Sequence, residues 1–166
     1  TIEPAAAKAL VGNQLGTTKG NINEWSDEAA YDEQFASTIG AADVYTVKGY
    51  DDSFRIMTYA EGNFQVHAEF YENLSSPDNV FQQLNIAGNI ASAQWRTFSD
   101  WNYDRSNYKQ LTNLSTLNAF IEELNTLTPT RENNITRNDD NFRELIVHLQ
   151  DGTKVQLLLS KDGSVM

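Results

Sequence analysis

The sequence predicts an α+β fold, a twisted and mainly antiparallel sheet of about five to seven strands covered on one face by helices. Three observations predict it. Across residues 44–71, Val44, Thr46, Phe54, Ile56, Thr58, Phe64, Val66, Ala68 and Phe70 alternate with more polar neighbours. Period two marks a half-buried strand, so this reads as a three-strand meander with one wet face. Further on, Leu114, Leu117, Phe120, Ile121, Leu124 and Leu127 recur three and four apart, which is one face of a helix lying across a sheet. Finally, Asp151-Gly152 separates two apolar runs at 142–150 and 153–160, the pairing that suits a two-residue type I′ hairpin. A partly closed β-barrel or a cone-like roll is the alternative packing of the same elements.

Taken in order, Pro4 followed by an alanine-rich run and then Gly12 predicts a short helix, frayed over residues 1–12 by its position at the terminus. The Gly and Asn content of 13–24 allows at most a loose strand. Ser26 opens a second helix whose first turn holds Asp27 and Glu28, closing near Gly40. In the meander, Gly49 to Ser53 and Gly62-Asn63 are the turns. Ser76-Pro77-Asp78 then signals a short helix carrying Val80, Phe81 and Leu84, ended by Gly88. Residues 90–103 read as extended chain, with 108–111 pairing back onto them. In the long helix Ser115 is the candidate cap and Thr128-Pro129 the stop. The polar stretch 130–141 reads as a mobile loop.

Size and composition narrow the functional classes. A chain of 166 residues fits a single globular domain, 1–166, able to bury about two-thirds of its unfolded surface without disulfides. A net charge of -11 leaves no basic stripe to neutralise phosphates, which argues against nucleic acid and against anionic membranes. The absence of cysteine removes disulfides, a thiol nucleophile and thiolate metal sites. The longest apolar runs are strand-sized, so no membrane insertion is expected. The acidic, asparagine-rich character and a first residue other than Met give the expectation of an extracytoplasmic protein, secreted or envelope-anchored.

One window concentrates side chains that recognise ligands. Trp95, Arg96, Asp100, Trp101, Tyr103, Asp104 and Tyr108 lie within fourteen residues, and Trp, Tyr and Arg dominate contact energy at interfaces. In an extended chain Trp95, Trp101 and Tyr103 share one face, while Arg96, Asp100 and Asp104 share the other. Such a platform takes a protein, peptide or sugar, with the rings supplying area and the polar groups orientation; the alternative is that the rings pack under the long helix. Asp100, Asn102, Asp104 and Ser106 also imitate the start of a calcium loop, but Arg105 replaces the required Gly and Leu111 the closing Glu. His67 reads as a surface residue and His148 as a half-buried structural one. No phosphate loop, nucleophile elbow or zinc-protease helix motif occurs. The leading expectation is a non-catalytic binding, sensor or adaptor module of a bacterial envelope or secreted protein, with no cofactor. A carboxylate-based glycan hydrolase using Asp100 or Asp104 and a calcium-stabilised domain are the alternatives.

Overall fold

The structure, a computed structural model, describes residues 2–63, 65–75, 80–127, 137–161 and 165. The α+β class holds, but the strands form two antiparallel sheets rather than one, and neither closes into a barrel. They lie in two compact units, Thr1–Ser75 and Ser76–Met166, each with its own sheet and apolar core. Period-two patterning specifies which residues are strands. It does not specify how many sheets they make, because strand pairing is settled by contacts distant in sequence.

The first unit opens with α1 (Pro4–Leu10), where Pro occupies the first turn as expected. The chain then enters β1 (Val11–Thr17) without the predicted stop at Gly12. The sheet runs β1, β2 (Asp43–Val47), β3 (Arg55–Glu61), β4 (Val66–Glu72), every pair antiparallel. Its core face is the parity of Tyr45, Val47, Met57, Tyr59, Ala68 and Phe70, with Leu10 of α1 packed on it. Lys8 reaches Glu61 at 2.8 Å, and the Tyr59 hydroxyl donates to the same carboxylate at 2.6 Å. The residues expected to share one dry face are split: Val44, Thr46, Ile56 and Thr58 lie on the face opposite Ala68 and Phe70, yet Val44, Thr46 and Thr58 are buried there as well. The chain between β1 and β2 accounts for part of this cover. A Cβ placed on Gly16, the partner of Val44, would run into the Phe35 ring. The helix expected from Ser26 to Gly40 is a single turn, α2 (Glu28–Tyr31), capped by Asp27. It ends at Asp32; Glu33 bonds Lys19 and Asn21, and Phe35 turns the chain away with φ 60.

In the second unit the sheet order is β6 (Lys109–Gln110), β5 (Ile90–Thr97), β7 (Phe142–Leu149), β8 (Lys154–Ser160). The short helix α3 (Val80–Gln83) forms where expected, and its proposed cap at 76–78 lies outside the described residues. The principal helix α5 (Leu114–Leu124) covers one sheet face through Leu117 and Ile121, against Ala93, Leu145, Val147 and Leu157. Its cap is Asn113, not Ser115: the Asn113 Oδ1 accepts from the Thr116 backbone N–H at 3.1 Å. The stop at 128–129 and most of the 130–141 stretch lie outside the described residues. The closing hairpin is present, with a different turn. The Gly152 N–H donates to Leu149 O at 3.1 Å, and Leu149 N–H to Thr153 O at 2.9 Å, which leaves three residues in the loop. Only Gly152 has positive φ, at 88 degrees, whereas a type I′ turn needs it at Asp151 as well.

Candidate functional site

The extended run expected over 90–103 ends at Thr97, and that sends the predicted site residues to different places. Thr97 caps α4 (Phe98–Asn102), its Oγ1 accepting from the Asp100 N–H at 3.2 Å. Trp95, still on β5, faces the core side with Lys109 and Arg143 over its ring at 4.9 and 5.6 Å. Trp101, carried round by the helical turn, packs on Phe98 and the fully buried Phe142 at centroid distances of 5.7 and 6.0 Å. Tyr103 projects into solvent, 71% exposed. The three rings therefore form no common platform.

Arg96, Asp104 and Tyr108 do come together, on the sheet face opposite α5. The Arg96 guanidinium bonds Glu144 through Nε and donates from Nη1 to Arg105 O at 2.9 Å. The Tyr108 ring lies 4.8 Å beneath it, and Asp104 approaches to 3.7 Å. Glu144 is completed by Gln156, whose Nε2 donates to Oε1 at 2.6 Å. Burial alone would lower the Arg96 pKa, but the Glu144 hydrogen bond and charge outweigh it and hold the cation above its ordinary value. Burial, reinforced by the Glu144 charge, raises Tyr108.

Asp100 braces the loop that follows. One carboxylate oxygen accepts from Asn107 Nδ2 at 2.9 Å and pairs with Arg105 Nε at 3.0 Å, and the other accepts from Thr97 Oγ1 at 3.1 Å. The Asn107 bond leads in holding Asp100 below the usual carboxylate range. Its backbone carbonyl accepts from the Arg105 N–H at 2.7 Å, and Asp104 takes the left-handed conformation, φ 48, that lets the chain reverse. Asp139 secures the other side by accepting from the Ser99 N–H at 2.6 Å, which likewise depresses its pKa. The outcome is a tied arch that displays Tyr103, with Arg105 5.4 Å from its ring, and the fully exposed Asp104.

No three carboxylate or imidazole side chains converge among the described residues as a metal site would require. His67 is exposed and His148 half-buried, as read from their strands. Sequence reasoning missed Glu144, Asn107 and Gln156. A signal existed for Glu144, because a carboxylate inside the run Phe142–Leu149 needs a cation partner when that strand is buried. The others act through contacts that the sequence does not display. No protein-family model, curated protein or solved structure matches this chain. Its function is therefore argued from chemistry alone.

Proposed function

We propose that the chain is a non-catalytic extracytoplasmic binding domain, a sensor or adaptor module of a bacterial envelope or secreted protein, and that it engages a peptide, protein or sugar through the arch at Tyr103. The observation that carries this reading is a 71% exposed ring on a segment fixed by Asp100. A tyrosine carried on a braced backbone segment brings no loop-ordering cost to binding, so more of its contact energy reaches the affinity. Arg105 and Asp104 beside it supply charges of both signs for orientation. A glycan hydrolase would need a carboxyl raised towards neutrality to serve as the acid. Asp100 and Asp139 are held in the opposite direction, and their hydrogen bonds suit bracing rather than proton transfer.

The test is a thermal-shift screen of the full chain against soluble oligosaccharides, short peptides and calcium chloride. A ligand of the native state raises the melting temperature by linkage whatever its class. The expected result is a saccharide or peptide whose stabilisation is lost in Tyr103→Ala, with the unliganded melting temperature of that variant unchanged. Stabilisation that survives Tyr103→Ala, or that comes from calcium alone, would sink the proposal.

A further inference from the structure

We propose that the turn carrying Trp25, in the first unit, is a second recognition surface, and that its partner is a lysine- and arginine-rich segment of another polypeptide. Trp25 is 86% exposed, the most exposed large apolar side chain among the described residues. Tryptophan is ordinarily well buried, so a ring left in water on an ordered turn is an unspent contact surface.

The turn is well defined. The Trp25 N–H donates to Asn23 Oδ1 at 2.9 Å, the Ser26 N–H to Asn23 O at 3.0 Å, and the Asn23 N–H to Ser26 Oγ at 2.9 Å. Tyr31, itself 55% exposed, donates its hydroxyl to Asn23 O at 3.3 Å. The segment is tied to its surroundings by the bonds of Lys19 N–H to Phe35 O and Ile22 N–H to Ser37 O.

Charge selects the partner. Glu24, Asp27, Glu28 and Asp32, within seven residues of Trp25 along the chain, are exposed and make no ion pair among the described residues. Residues 1–75 contain twelve acidic against four basic side chains, and residues 76–166 eleven against eight, so the excess negative charge lies in the unit that displays Trp25. Such a field repels phosphates and anionic lipid headgroups and draws in cations. The indole face is the strongest aromatic acceptor for a guanidinium or ammonium group, and carboxylates around it orient that group.

The experiment titrates the full chain with hexa-arginine and hexa-lysine peptides, following calorimetry and tryptophan emission, with hexa-glutamate and a glycine-serine hexamer as controls. Trp25→Ala is expected to weaken hexa-arginine binding by roughly tenfold, and Trp25→Phe to retain most of it. Neutralising Glu24, Asp27, Glu28 and Asp32 together is expected to weaken binding and flatten its salt dependence. Neutralising Glu3, Asp52, Glu123 and Asp140 removes the same charge elsewhere and should change affinity less than about twofold. Equal losses from the two charge sets would reduce the effect to bulk attraction and overturn the proposal. So would unchanged binding in Trp25→Ala, or a Trp25-dependent response to phosphatidylserine vesicles or to a hexasaccharide in place of the basic peptides.

Discussion

Removing the Glu144 carboxylate would strand the Arg96 guanidinium in a site where only 7% of that side chain meets solvent. An uncompensated buried charge costs about 3–5 kcal/mol, so Glu144→Gln should lower the urea midpoint steeply. Replacing both partners, Arg96→Met with Glu144→Leu, should recover most of that loss, because the desolvation of both charges disappears with them. Asp100 makes a prediction in pH. Its folded pKa lies below that of the unfolded chain, so its contribution is fully present above the ordinary aspartate value of about 3.9. As the pH falls below that value towards the depressed folded pKa, the unfolded state takes up the proton first and the contribution is lost. Asp100→Asn should therefore flatten the acid limb of a stability profile. Tyr59 shows the alkaline counterpart, pushed up to about 12 chiefly by its hydrogen bond to Glu61.

At the scale of elements, the segment joining β1 to β2 depends on one missing side chain. Gly16→Ala would force the new Cβ against Phe35, which the Lys19 bond holds in place. Overpacking of this kind costs about 1–3 kcal/mol, and calorimetry on this variant should find a loss in that range. The elements that could be read from the sequence were those whose signal is local. The meander, α5 and the closing hairpin each carry a period or a turn residue within their own span. Three features escaped that reading for physical reasons. Thr97 caps a helix in place of continuing a strand, Asn113 sits two residues ahead of the expected cap, and Asp151 keeps a negative φ so that the hairpin takes a third loop residue. Each turns on which of two competing local hydrogen bonds is made, and tertiary contacts decide that. Of the candidate site residues, the grouping of Arg96 with Asp104 was legible. The separation of Trp95, Trp101 and Tyr103 was not, because one helical turn redirects every side chain that follows it.

Over the whole molecule, the excess of acidic over basic side chains lies mainly in the first unit, which holds four basic residues against eight in the second. Two cores with different electrostatic surroundings share one chain, and the three tryptophans sample both. Trp25 stands in water on an acidic stretch of chain, while Trp95 lies beneath Lys109 and Arg143 and Trp101 packs on Phe98 and Phe142. That arrangement makes the protein its own optical electrometer. Caesium, a cationic quencher, should be drawn to Trp25 and extinguish the red edge of the emission, and iodide should be turned away from the same ring. In Trp25→Phe the caesium-sensitive component should vanish, leaving a bluer emission that caesium barely touches. A quenching titration that treats the two ions alike would mean that the carboxylates around Trp25 do not set the local potential. If the two ions differ as expected, any ligand that covers the turn can be followed by its shielding from caesium, without an attached label.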